Sequence, residues 1–275
     1  MLVLLPELYV YANEEITVGI FPRRNPTTTI QMYTPMMKHL EQETGFSVRL
    51  ETSKNFSDFW NRVKKNRFDI VHYNQLHFVL SEKFGYEVFA KNEEFGKSLI
   101  APALVVRKDS GINSISDLKN KRIIFGGGKL AFISNIGNKV LLSNAGLSRE
   151  DYQAIFSRNP PNATLAVYFK QVDAAGIGDV GLDVPNVKEK INTDELKFLA
   201  IGPELVHLPW AYSSKLTEDS KKKIRTALLK LNRDENGNNI LKNAGLTSLI
   251  KANNDDYTQV RVLYERYLNE FGSDQ

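Results

Sequence analysis

The sequence predicts a two-lobed α/β architecture, each lobe a mostly parallel sheet flanked by helices, with a ligand cleft between the lobes. Three observations carry this. Apolar strand-like runs alternate with amphipathic helical segments from Ile16 to Asn74. The same alternation resumes at Arg122 after a long apolar run, Leu99 to Arg107, that reads as a buried crossing out of the first lobe. From Leu205 the chain returns as Leu-Val-His-Leu-Pro-Trp-Ala-Tyr-Ser-Ser and then reads as helices, so two crossings would flank the cleft.

In chain order, Ile16 to Phe21 is a buried strand ended by Pro22 and Pro26. Thr27 to Thr29 cap a helix through Thr44, with Ile30, Tyr33, Met37 and Leu40 near one face and Gly45 as its stop. Pro35 inside it predicts a kink or a late start. Phe46 to Thr52 is a strand, Asn55 to Lys65 a helix carrying Phe56, Phe59, Trp60 and Val63, and Phe68 to Asn74 a third strand. A helix over 76–84 and a strand over 87–91 lead to the crossing. A short helix over 113–118, the strand 122–125 and a helix from Ala131 to Ala145, stopped at Gly146, begin the second lobe. Strand 153–157, helix 162–171, strand 172–177, helix 183–190 and strand 197–201 continue it. Helices over 217–231, 239–244 and 256–271 close the chain. The lobes are thus 15–102 with 205–275, and 103–204, preceded by a segment 1–14.

The 275 residues suit two lobes. The net charge of +4 arises from 36 basic and 32 acidic side chains rather than from a basic stripe, which favours a small anion over nucleic acid as partner. No cysteine occurs, so thiol catalysis, disulfides and thiolate metal sites are excluded. Leu2 to Ala12 is apolar and closes on Val10-Tyr11-Ala12, matching either the end of a secretion signal without its positive leader or an apolar tail. No run approaches the ~18 apolar residues of a membrane span.

Arg122-Ile-Ile-Phe-Gly-Gly-Gly-Lys-Leu-Ala-Phe-Ile-Ser-Asn135 is the stretch with the clearest chemistry: an apolar run, three glycines, a lysine and a helix opening. Glycines let bare N–H groups approach a guest, and a helix start adds unpaired donors and the positive end of its dipole. A nucleoside-triphosphate loop is rejected, because Lys129 is followed by Leu130 instead of Ser or Thr and the glycine spacing differs. Gly126-x-Gly128-x-x-Ala131 satisfies the loose dinucleotide pattern, but the acidic residues Glu150 and Asp151 precede the next strand instead of following it. A tight turn without a ligand is the third reading. Ligands of open α/β sheets sit at the carboxyl ends of strands, which here are Pro22 to Asn25, Thr52 to Phe56, His72 to Asn74, Gly126 to Ser134, Pro160 to Ala163 and Gly176 to Val180.

An ordered set of segments resembles the periplasmic binding components of phosphate, phosphite and phosphonate ABC transporters, from Ile16 onward. Val18-Gly-Ile-Phe-Pro22 with Tyr33-x-Pro35 and Leu40 is similar to that family's opening strand and helix. Asp69-Ile-Val-His-Tyr-Asn74 stands where the family has Asp-Val-Ala-Trp-Phe-Gly. Ala131-Phe-Ile-Ser-Asn-Ile-Gly-Asn-Lys139 is similar to its anion-binding helix start, and Val172-Asp-Ala-Ala-Gly176 and Leu208-Pro209 complete the series. The resemblance implies a type II periplasmic-binding-protein-like fold. It also implies an oxyanion held by the backbone N–H groups of Lys129, Leu130, Ala131 and Phe132 and of the helix starting near Asn162, with Tyr33 and Tyr73 lining the opposing lobe. Two departures stand out. The family's Ser-Thr-Ser hydroxyls are replaced by Leu130-Ala131-Phe132, and a common His is replaced by Pro160 or Pro161. A cysteine-dependent arsenite-sensing branch is excluded by composition.

Among single residues, Arg23 and Arg24 offer forked donors to an anion or remain solvated. Lys129 matters through its N–H more than its ammonium. His72 and His77 lack further ligands at metal-binding spacing. Asn74 belongs to the strand-end set, and Tyr33 and Tyr73 suit either a site or a core. Trp60 and Phe59 read as core. Asp179 would accept from an amine on the ligand or face water. No catalytic triad, cofactor or metal signature is present. The expected function is capture of a phosphonate, phosphite, phosphate or related oxyanion for an ABC permease, by a periplasmic monomer that binds neither nucleic acid nor cofactor. The alternatives are a sensing module partnered with a histidine kinase, and an enzyme on a related two-lobed scaffold.

Overall fold

The computed structural model describes residues 14–272; the expected leader or tail therefore lies outside the described residues except for Glu14. The chain begins β1 (Glu15–Ile20), α1 (Pro26–Thr44), β2 (Ser47–Glu51), α2 (Phe56–Lys64), β3 (Ile70–His72), α3 (Gln75–Ser81) and β4 (Tyr86–Glu93). It continues β5 (Leu99–Ile100), β6 (Pro102–Arg107), β7 (Arg122–Gly126), a π-helical turn (Phe132–Gly137) running into α4 (Asn138–Asn144), β8 (Gln153–Ser157), α5 (Pro160–Tyr168), β9 (Ala174–Gly178), α6 (Pro185–Lys188) and β10 (Leu196–Ile201). Then follow β11 (Leu205–Val206), β12 (Pro209–Ser213), α7 (Glu218–Lys230), α8 (Glu235–Asn243), β13 (Ser248–Lys251) and α9 (Thr258–Phe271).

Helix starts are fixed by side-chain caps that satisfy otherwise unpaired N–H groups. Asn25, Asn55, Asn74, Asn159, Thr217 and Asp234 each accept from the third residue beyond. Pro35 neither shortens nor splits α1, which runs unbroken from Pro26.

The strands form a six-stranded sheet, order β13-β4-β12-β3-β1-β2, and a five-stranded sheet, order β10-β6-β9-β7-β8. Both are mixed rather than mostly parallel. β2, β1 and β3 are parallel, as are β8, β7 and β9, and the remaining strands add antiparallel. In the first sheet the late return explains this, since β12 runs opposite to β3 and β4; in the second, β6 runs opposite to its neighbours β9 and β10. β13, read as part of a helical ending, is a strand on β4; its four residues are too few to show alternation.

The single long strand expected over 99–107 is two. The chain breaks at Ala101, whose N–H donates to Asp179 Oδ1 at 3.0 Å while its carbonyl accepts from the Asp179 N–H at 2.9 Å. β5 pairs with β11 in a separate two-stranded ribbon, Ile100 opposite Leu205, where both crossings lie side by side.

One apolar layer lies between the first sheet and α1, α7 and α8, built on residues such as Val18, Leu40, Trp210 and Leu228. A second joins that sheet's other face to the second unit: Phe21, Tyr73, Leu76 and Tyr257 share one continuous cluster with Phe132, Ile133, Ile136 and Val180. The glycine-rich loop opens at this junction.

Candidate functional site: a glycine loop of backbone amides

β7 ends at Gly126, where the start of α5 comes so close that an added Cβ would lie 2.4 Å from Pro160 Cα. Gly127 and Gly128 follow with φ of +89° and +82°, the left-handed region that other residues enter only with strain. The loop then passes through Lys129 to Ala131 into the π turn, because both Asn135 and Ile136 donate to the Ala131 carbonyl, at 3.0 and 3.2 Å.

Four carbonyls of this loop are occupied. That of Gly126 accepts from the Ser134 hydroxyl, Gly128 from the Ala131 N–H at 3.1 Å, Lys129 from Asn135 Nδ2 at 2.7 Å, and Leu130 from Asn74 Nδ2 at 3.1 Å. Its amides are not. The N–H groups of Gly128, Lys129, Leu130, Phe132 and Ile133 have no acceptor among the described residues. Most acceptors of this segment are thus turned into protein while these donors are left over, an arrangement chemically suited to an anion. The Lys129 side chain is exposed.

Asn74 reaches the loop from the other sheet. It caps α3 by accepting the His77 N–H at 2.8 Å and uses its amino group on Leu130. Asn135, fully buried, holds Lys129 with its amino group while its Oδ1 has no partner.

The second expected set of donors is missing. Pro160 and Pro161 occupy the first turn of α5 without N–H groups, and the Asn162 N–H already donates to Asn159 Oδ1 at 3.0 Å. Asn162 therefore has no free backbone N–H to offer, because the Asn159 cap takes it, and the two prolines before it supply none.

Arg23, Tyr33 and His72 come together, but in a structural network. Arg23 forks onto Glu94 at 2.7 and 3.4 Å, and Asn92 bridges Glu94 Oε1 (3.0 Å) to Trp210 Nε1 (2.8 Å). His72 stacks on Trp210 at 4.5 Å and bonds the Pro209 carbonyl at 2.9 Å; Tyr33 packs 6.0 Å from both rings. Burial would raise the Glu94 carboxyl, but Arg23, helped by His207 and Asn92, holds it at about 2. Burial lowers His72 to about 3 and raises the Tyr33 hydroxyl to about 12, so both rings are neutral. Arg24 is exposed and lies by Gly245, away from the loop.

Tyr73 is core: fully buried, its hydroxyl sits 2.7 Å from Ser81 Oγ, so it does not line a cleft here. Asp179 neither faces water nor awaits an amine; it pairs with Lys97 at 2.8 Å and ties down Ala101 at the crossing. Sequence reasoning missed the Asn92–Glu94 pair, which carries no motif, and gave Asn135 no role although it ends the helix-opening stretch. A charged surface cavity of about 580 Å³ beside β2 and α2, lined by residues including Arg49, Glu51 and Arg62, is remote from the loop. Among the described residues no group of acidic or histidine side chains could hold a metal, and no helix is long and apolar enough to cross a membrane.

Residues 18–257 match the family model described as ABC transporter, phosphonate, periplasmic substrate-binding protein. A phosphonates-binding periplasmic protein of Escherichia coli (strain K12) is 26% identical over 216 residues, 76% of this chain and 64% of the relative's length. The fold is similar to a binding protein component of an ABC phosphonate transporter from Pseudomonas aeruginosa, with TM-score 0.80, 18% identity, and 94% of this chain and 88% of that one covered. It is also similar to PhnD1 from Prochlorococcus marinus in complex with methylphosphonate, with TM-score 0.79, 20% identity and coverage of 94% and 99%. These likenesses establish the two-lobed fold, and the family match, spanning most of the chain, establishes that it belongs to the periplasmic substrate-binding proteins of phosphonate ABC transporters.

Proposed function

We propose that this chain captures a small oxyanion, a phosphonate or a related phosphite or phosphate, and delivers it to an ABC permease from the periplasm without chemical turnover. Lobe 15–102 with 205–275 and lobe 103–204 close over the anion, turning about the ribbon of β5 and β11. One observation carries the reading: the loop from Gly128 to Ile133 has filled acceptors and five unfilled donors at the junction of the two sheets. Backbone dipoles fixed in this way need no reorganisation to meet a negative charge, and closure strengthens them by excluding water. The names of the Escherichia coli and Prochlorococcus marinus proteins, one for phosphonates and one with methylphosphonate bound, support the same ligand class.

Thermal denaturation against methylphosphonate, phosphite, phosphate and sulfate tests this. A ligand present at 100 times its Kd adds about 2.7 kcal/mol, a rise of roughly 5–10 °C for a chain of this size. Stabilisation by NADH and by none of the anions would transfer the loop to a dinucleotide.

A further inference from the structure

We infer that the site selects an oxyanion bearing an uncharged apolar substituent, over inorganic phosphate and over amine-bearing phosphonates. The inference rests on the oxyanion reading above. Two features of the loop's surroundings point to it.

The first is a shortage of donors beyond the loop. Leu130, Ala131 and Phe132 bring no hydroxyl, the Ser134 hydroxyl is committed to the Gly126 carbonyl, and the first turn of α5 contributes no free backbone amide. A bare phosphate ion needs donors on every side, because each oxygen left without one in a closed site loses its hydration uncompensated. The free amides here lie on one segment, and what adjoins that segment is apolar: Leu130 packs against the same cluster as Phe21, Phe132, Ile133 and Val180. A substituent pointing away from the loop would meet these side chains.

The second is the state of the carboxylates. A ligand ammonium would need an acid, and the two buried ones at these strand ends are taken. Glu94 is held by both arms of Arg23 and by Asn92; Asp179 is held by Lys97 and the Ala101 N–H. An unpartnered acceptor beside the loop, Asn135 Oδ1, is neutral. It can receive a P–OH proton but cannot offset a cation.

Calorimetric titration of the purified chain with phosphate, methyl-, ethyl-, propyl- and 2-aminoethylphosphonate tests this. Each buried methylene tightens binding about fourfold, so propylphosphonate should bind roughly fifteenfold more tightly than methylphosphonate. The binding heat capacity should become more negative along the series. 2-Aminoethylphosphonate should bind at least about tenfold more weakly than ethylphosphonate. Leu130→Ser, at a half-buried position, should narrow the propylphosphonate-to-phosphate ratio. If phosphate or 2-aminoethylphosphonate binds as tightly as propylphosphonate, the inference is overturned while oxyanion capture stands. If nothing in the series binds, oxyanion capture itself falls and takes the inference with it.

Discussion

Gly128→Ala separates the backbone role of the glycine loop from ordinary strain. Gly128 has φ +82° and an added Cβ would meet nothing within 4 Å, so the substitution is a pure conformational perturbation. Gly45, the C-cap of α1, has φ +75° and equally empty surroundings, and provides a matched control far from the loop. Holding an L-residue in the left-handed region costs about 1–2 kcal/mol, and the smaller unfolded-state entropy of alanine offsets part of this. Both variants should therefore lose about 1 kcal/mol, or roughly 2–4 °C in Tm. Their affinities should diverge. Relaxing φ at residue 128 turns the 128–129 peptide, misaligning a donor worth about 1.5–3 kcal/mol to a charged acceptor. Methylphosphonate affinity, measured by calorimetry, should fall about 10- to 100-fold in Gly128→Ala and stay within about twofold in Gly45→Ala. Equal affinities in the two variants would refute the argument that amides at this loop grip the anion.

Three further outcomes follow from the buried groups. His77 is fully buried against Trp60 and Phe56 with neither ring nitrogen bonded, and burial lowers it to about 4. The unfolded chain takes up this proton first, so stability should drop by about 2–3 kcal/mol as pH falls from 6.5 to 4, and His77→Phe should flatten that part of a urea-midpoint profile. Glu94, held at about 2, contributes stability above its unfolded value that is lost as pH falls from about 4.5 to 2; Glu94→Gln should cost about 2–3 kcal/mol at pH 7 and remove that acid limb. Tyr73→Phe should cost about 1 kcal/mol through the lost Ser81 contact yet leave methylphosphonate affinity unchanged, whereas a ligand-lining tyrosine would lose affinity.

The strand and helix order was legible because most elements have a local cause: Asn25, Asn55 and Thr217 cap helices, Gly45 ends one, and apolar runs such as Ile16 to Phe21 form strands. The glycine loop was legible too, since positive φ at Gly127 and Gly128 is a property of residue type. Even the failure at Asn162 was written in Pro160-Pro161. What the sequence could not determine was how charges and rings separated by many residues pair. Arg23 lies 71 positions from Glu94, Lys97 lies 82 from Asp179, and His72 rests on Trp210. Those meetings made Arg23, Tyr33, His72 and Asp179 structural, and they brought Asn74 across to Leu130. Local composition fixes where a backbone can turn and which amides it can bare, because those depend on near neighbours. Which polar groups remain unsatisfied after folding depends on partners that only the tertiary structure brings within 3 Å.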